Sequence, residues 1–296
     1  MDILITAKMD GMRIKHILLQ EAGVSMTQLK SAKWNGGILC NQRPCTVRDT
    51  VHTGDIVRFL PPVTVPVYHP RPYPLPLSIP YEDPHILIVD KPAPLASQSS
   101  RNHPDDSLEN ALFSYFHEPE DYCYRPVNRL DKGTSGLMLV AKTPHAQHRC
   151  QQLLHTPQFV RRYTALATGY FSERKGTIRL PIAKEEGASV RRVVRSDGLP
   201  SVTHYEVILE GNGYSLLRLT LETGRTHQIR VHLSALGHPI LGDFLYGTES
   251  PLCPGRFALH SSEILLTHPL GGQRLHILSP APAAWQHLIT EGEWIP

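Results

Sequence analysis

Chemistry first becomes conceivable in this sequence at Arg125-Pro126-Val127-Asn128-Arg129-Leu130-Asp131-Lys132-Gly133-Thr134-Ser135-Gly136-Leu137-Met138-Leu139-Val140-Ala141-Lys142. The run sets one carboxylate, Asp131, beside a guanidinium in a glycine-rich turn ahead of an apolar strand, so the acid sits at a rigid strand mouth. Read alone, Asp followed by Lys-Gly and Thr-Ser-Gly is equally a plain tight turn. A second run, Phe159-Val160-Arg161-Arg162-Tyr163-Thr164-Ala165-Leu166, puts a phenol in a strand. Such a ring can stack on a nucleobase and its hydroxyl can handle a proton, although strand tyrosines are often only packed. The third is Thr223-Gly224-Arg225-Thr226-His227-Gln228-Ile229-Arg230-Val231-His232-Leu233-Ser234-Ala235-Leu236-Gly237-His238-Pro239. Here Thr226 can cap a helix, Ile229, Leu233 and Leu236 form one apolar stripe, and Gly237-His238-Pro239 ends it. Arg230 lies within a turn of His227 and Ser234. A cation there suits a desolvated aspartate, which stays ionised only beside an opposite charge. Without a partner it is a surface helix with an exposed arginine.

Taken in order, the three runs resemble the motifs of the RluA-type family of RNA pseudouridine synthases. That family reads His-Arg-Leu-Asp, two residues, then Thr-Ser-Gly or Thr-Thr-Gly, followed by a basic residue and Tyr in a strand and by Gly-Arg-Thr-His-Gln-Ile-Arg-Val-His. The resemblance spans residues 79 to 280 or so. It implies that Asp131 is the catalytic carboxylate, that Tyr163 holds the freed uracil, and that Arg230 is the cation paired with Asp131. It also implies a substrate-binding set of Arg129, Asn128, Ile229 and Thr134, with Arg129 filling the place vacated by an extruded nucleotide. One departure stands out. Asn128 replaces the family histidine, and an amide hydrogen-bonds but does not exchange a proton near neutral pH. Pseudouridine formation conserves atoms and electrons, so the resemblance implies neither cofactor nor metal. Asp131 as a nucleophile at the anomeric carbon and Asp131 as a ribose base are both open routes. So are two other function classes, a non-catalytic RNA-binding or ribosome-assembly protein with a decayed site, and a hydrolase or metal enzyme built on the histidines.

The elements that must position these residues follow from composition and pattern. At 296 residues, 41% hydrophobic and 19% charged, the chain can bury one large or two modest cores. A formal charge of +3 fits a phosphate-rich partner without requiring one. The 17 histidines include no His-Glu-x-x-His spacing, and the 5 cysteines, Cys40, Cys45, Cys123, Cys150 and Cys253, lack Cys-x-x-Cys. They suit free thiols in a reducing cytoplasm. No signal peptide or apolar run of about 20 residues is evident, so a soluble, monomeric, cytoplasmic protein is expected. Glycine-rich nucleotide and phosphate loops are missing as well.

Prolines 61, 62, 66, 70, 72, 74, 76 and 80 mark residues 61–80 as a linker. It divides an N-terminal unit, 1–60, from a body, 81–296. In the small unit, Ile14, Ile17 and Leu18 follow helical spacing, Ser25 is placed to cap a second helix through Leu29 and Lys33, and strands follow near Ile38 and over Thr53 to Phe59. That order resembles the alpha-L RNA-binding motif over residues 11 to 60. Arg13, Lys15, Lys30 and Lys33 are its candidate phosphate contacts, or else ordinary solvated cations. In the body, strand signals at Ile86–Val89, Leu137–Ala141, Tyr163–Ala167, Thr203–Leu209 and Leu216–Leu221 alternate with helical stretches at 107–116 and 145–154. The fold class is therefore α+β, with a mixed, mainly antiparallel sheet flanked by helices and a small N-terminal α/β module. Glu185-Glu186-Gly187 followed by Arg191, Arg192 and Arg195 reads as a solvated hairpin or a contact to the RNA backbone.

Overall fold

The computed structural model describes residues 1–24, 26–34, 36–60, 69–187, 190–283, 285 and 294–295. Ser25, the expected cap, and residues 61–68 of the proline-rich stretch lie outside the described residues.

The N-terminal unit contains β1 (Asp2–Leu4), α1 (Ile14–His16, running on in π-helical form over Ile17–Glu21), α2 (Met26–Trp34), β2 (Ile38–Cys40), β3 (Arg43–Pro44) and β4 (Ile56–Phe59). Its sheet has the order β1-β4-β2-β3. The expected pattern of two helices and then strands omitted β1, a three-residue strand too short to show a period. Ile14, Ile17, Leu18 and Leu29 pack on Ile38, Val57 and Phe59. The segments Gly37–Asn41 and Gly54–Val57 meet in space. Asn41 Nδ2 donates to Asp55 Oδ1 at 2.8 Å, while Asn41 Oδ1 accepts the Ile56 N–H at 2.9 Å. Residues 53–55 are consequently a turn, and the strand begins only at Ile56.

The body is built on β5 (Ser78–Glu82), β6 (Ile86–Lys91), β7 (Ser135–Ala141), β8 (Phe159–Thr168), β9 (Lys175–Ile178), the hairpin β10 (Ile182–Lys184) and β11 (Arg192–Val194), β12 (Thr203–Gly211), β13 (Tyr214–Leu221), β14 (Leu259–Thr267), β15 (Arg274–Leu278) and β16 (Trp294–Ile295). The main sheet runs β16-β12-β13-β8-β14-β7-β6-β5, with β15 beside β14 and β9 beside β12. β14 and β7 pair in parallel, and the other pairings given are antiparallel. The sheet is therefore mixed and mainly antiparallel, as expected.

Strands β6 and β7 read as continuous apolar runs because both faces are covered. Leu87, Val89, Met138 and Val140 enter one core with Leu108 and Leu112 of α3 (Leu108–Tyr115) and Ile229 and Leu233 of α5 (Gln228–Ala235). Ile86, Ile88, Leu137 and Leu139 enter another with Ala146 and Cys150 of α4 (Pro144–Leu153). Ser107 caps α3 through a reciprocal pairing with Asn110, and Thr143 caps α4 with Pro144 following.

The second half of the proline-rich stretch belongs to the body and is not spacer. Tyr73, Leu75, Leu77 and Ile79 pack against the larger core, β5 starts at Ser78, and Pro72, Pro74 and Pro76 face outward. Proline at every second position suits an extended edge whose donors are not needed. The hairpin holds the basic run as predicted. Its charges are largely paired on the surface, Arg195 with Glu186 at 3.2 Å and Arg191 with Glu185 at 3.8 Å.

Gly136 sits where β7 meets β14, at φ +105°, and a Cβ there would collide with the main chain of Ser261. Gly136→Ala is expected to destabilise the protein by about 3 kcal/mol, because backbone cannot yield as a side chain does. Urea denaturation measures it, and a loss below about 1 kcal/mol would contradict the close strand approach.

Candidate active site

Asp131 lies in the loop that feeds β7, Tyr163 on β8 and Arg230 on α5, and all three line one cavity of about 480 Å³. The loop is fixed at several points. The Thr134 N–H donates to Asp131 O at 3.0 Å, and the Ser97 hydroxyl brackets Leu130 by donating to its carbonyl at 2.6 Å and accepting its N–H at 3.1 Å. Asn128 pins the loop to β7, its Oδ1 accepting the Leu139 N–H at 2.9 Å, while its Nδ2 is buried with no hydrogen-bond partner among the described residues. Asn128, Arg129, Thr134 and Ile229 also line the cavity. Arg129 is exposed, and the other three are buried.

Arg230 is the hub. Its Nε and Nη2 donate to Asp243 Oδ2 and Oδ1 at 2.7 and 2.8 Å, and Nη1 donates to Asp131 Oδ2 at 3.1 Å. The guanidinium lies between the rings of Phe257 and Tyr246, at 4.1 and 4.9 Å from their centroids. Burial disfavours its charge, but the bonds to Asp243 and the attraction of Asp131 outweigh that and raise its pKa. Asp243 is fully buried and also accepts the N–H groups of Leu245 and Tyr246. Asp131 keeps 24% of its side chain exposed, so of the two carboxylates it faces the cavity.

Two expectations about the α5 segment are corrected. Thr226 does not cap the helix. The N-cap is His227, in the left-handed region at φ +58° and without a side-chain cap, while the Gln228 carboxamide braces the preceding turn by accepting from the Arg225 N–H and the Thr223 hydroxyl. Leu236 is 41% exposed, so the buried stripe ends at Leu233. His227 Nδ1 is 2.8 Å from the Tyr246 hydroxyl, which also accepts the Arg192 N–H at 2.8 Å, and its Nε2 stands 3.9 Å from Asp131 Oδ2. When the phenol donates to Nδ1, the imidazole N–H sits on Nε2, toward Asp131. Desolvation holds His227 below its usual pKa, favouring this neutral form.

Tyr163 is 4% exposed, and burial raises its pKa. Asp243, Tyr246, Phe257 and Lys91 escaped the sequence reading. The only signals for them were a lone Asp after Gly242 and a Lys-Pro pair at the end of a strand, and Tyr246 and Phe257 carried none. Lys91 is fully buried and donates to Leu95 O at 2.7 Å and Pro92 O at 3.1 Å. The Leu95 N–H in turn donates to Lys132 O, next to Asp131. Among the described residues no group of three metal-donor side chains converges.

Asp243→Ala leaves the Arg230 charge half-paired in a dry site and is expected to cost about 3–5 kcal/mol of stability, read by urea denaturation. A loss near zero would mean that Asp131 alone holds the guanidinium. Burial pushes the Lys91 amine down to about 7, against the attraction of Asp131. Between there and the ordinary lysine value of about 10.4 the unfolded chain binds a proton that the folded chain does not. Wild-type stability relative to Lys91→Met should therefore grow as pH rises through that window. Parallel Tm-versus-pH curves would contradict it.

Comparison with known proteins places the chain. A profile for the family described as RNA pseudouridylate synthase matches residues 85–235, which contain Asp131, Tyr163 and Arg230. An uncharacterised RNA pseudouridine synthase of Bacillus subtilis, YjbO, is 36% identical over 91% of this chain and 95% of its own. Ribosomal large subunit pseudouridine synthase D of Escherichia coli K12 is 37% identical over 74% of this chain and 71% of its own. Among solved structures, human RNA pseudouridylate synthase domain containing 1 superposes with a TM-score of 0.57 at 28% identity, covering 70% of this chain and 84% of that one. With agreement in profile, full-length sequence and fold, this chain belongs to the RluA-type family of RNA pseudouridine synthases, enzymes of the isomerase class.

Proposed function

We propose that this synthase converts uridines of ribosomal or transfer RNA to pseudouridine, with Asp131 as the catalytic carboxylate. The observation that carries this is the Arg230 bridge, which holds the cavity-facing Asp131 at 3.1 Å while fully buried Asp243 anchors the other edge of the same guanidinium. The cavity opens beside this carboxylate and is lined by Tyr163 and Ile229. A stacked uridine cannot reach such a site, so the nucleotide must leave its helix, at a cost of a few kcal/mol. Exposed Arg129, two residues before Asp131, is placed to fill the gap.

In the reaction the bond between ribose C1′ and uracil N1 breaks, the base turns, and C1′ joins C5. The proton at C5 is lost and N1 ends protonated. Asp131 acts at the sugar, Tyr163 and Ile229 bound the turning base, and the rigid strand-and-helix frame keeps it in place. Asn128 acts by fixing the loop, a role an amide fills without proton exchange. Asn128 and Thr134 complete the substrate-binding set with Arg129 and Ile229.

Residues 1–60 serve as the RNA-binding module. Arg13, Lys15, Lys30 and Lys33 are all exposed, as phosphate contacts require. Ribosomal RNA is favoured by the name of the Escherichia coli relative. A cytoplasmic monomer suits a substrate of this kind, and among the described residues no helix is long and apolar enough to cross a membrane.

Asp131→Asn keeps the shape and removes the charge. It should lower single-turnover pseudouridine formation on transcribed ribosomal and transfer RNAs by at least about a thousandfold, with RNA affinity changed by less than about threefold. Retained turnover would falsify the role of Asp131. Absence of activity in the wild type on every RNA tested would remove the substrate assignment.

A further inference from the structure

The arrangement at Asp131 accounts for Arg230 but leaves Arg161 without a counter-charge among the described residues. Arg161 is on β8 two residues before Tyr163, so the strand period sets both side chains on one face, and both line the cavity. Arg161 is only 6% exposed, yet no carboxylate pairs with it among the described residues, whereas its neighbour Arg162 pairs with Glu263 at 2.8 Å. Its close company is the ring of Phe159, 5.5 Å from the guanidinium carbon, and the Tyr163 phenol. A guanidinium with five donors is costly to bury in this way unless something anionic joins it.

The surroundings add charge and space. His155 and Arg225 line the same cavity, and burial, followed by repulsion from Arg161 and Arg225, holds the His155 pKa below its usual value. Two guanidiniums thus converge on one imidazole. Gly224 keeps the approach open. A Cβ at that position would stand 3.5 Å from His155 Cε1 and 3.7 Å from both terminal nitrogens of Arg161, filling the space over the guanidinium.

We propose that Arg161 forms a phosphate subsite for the phosphodiester group next to the uridine held at Asp131. This rests on the uridine-binding reading of the cavity given above. A neutral uracil carbonyl would satisfy a donor but would leave the converging charges unopposed, whereas a phosphodiester answers both and matches the planar fork of an arginine. The Tyr163 phenol feels both Asp131 and Arg161, so a nucleotide stacked on that ring reaches from the carboxylate to the guanidinium.

Calorimetric titration of the full chain with uridine, uridine 5′-monophosphate and uridine 3′-monophosphate tests this. The wild type should bind one monophosphate at least about tenfold more tightly than uridine, the effect of a charge-assisted pair. In Arg161→Gln that ratio should fall to near one, and Arg161→Lys should restore part of it. If Arg161 only props Tyr163, all three ligands weaken together and the ratio stays, which overturns the proposal. A wild type that binds neither monophosphate more tightly than uridine also overturns it. Binding is read here and isomerisation is not, so failure of the subsite is distinguishable from failure to form pseudouridine in RNA.

Discussion

One guanidinium organises the cavity in the body of this protein. Arg230 spends two donors on a carboxylate that never meets solvent and one on a carboxylate that does. The buried partner fixes where the charge sits, and the faces of Phe257 and Tyr246 close off the water that would otherwise screen it. Asp131 is therefore held by an electrostatic contact whose other end cannot move. An arginine free in solvent would hold it weakly, since an exposed pair is worth little.

The fold makes that contact possible by bringing together segments far apart in sequence. Asp131 and Arg230 are 99 residues apart, and the structure closes that gap with the strand order β13-β8-β14-β7. Gly136 allows β14 to lie against β7, and the packing of Phe257 against Gly133 ties the aspartate loop to the arginine. Below the loop, the Lys91 amine organises the Pro92–Leu95 turn, whose Leu95 N–H holds Lys132 O. These contacts occupy backbone groups, which leaves the Asp131 side chain free for the cavity.

Asn128 shows how a departure from a family pattern is absorbed. Its oxygen does the structural task of holding the Leu139 N–H, so the loop keeps its shape without an imidazole. Its amide nitrogen remains buried and unsatisfied among the described residues, a cost on the order of 1–3 kcal/mol. A neutral imidazole beside Asp131 is supplied by His227, from a different element, next to Tyr246.

The sequence by itself determined the class of fold and the location of most strands and helices, and it singled out Asp131, Tyr163 and Arg230, which the fold brings to one cavity. Continuous apolar runs and three ordered motifs are local signals, written in neighbouring residues. It misread the start of α5, because the left-handed backbone at His227 and the turn that the Gln228 side chain braces exist only once Thr223–Arg225 has folded. It took residues 73–80 for linker because proline content signals extended backbone and says nothing of what that backbone packs against. Asp243, Lys91, the aromatic walls of Arg230 and the charge of Arg161, unpaired among the described residues, were decided only by tertiary structure. Their meaning depends on burial and on partners tens of residues away, and no local pattern records how dry a site will be or which charge will be left without its opposite.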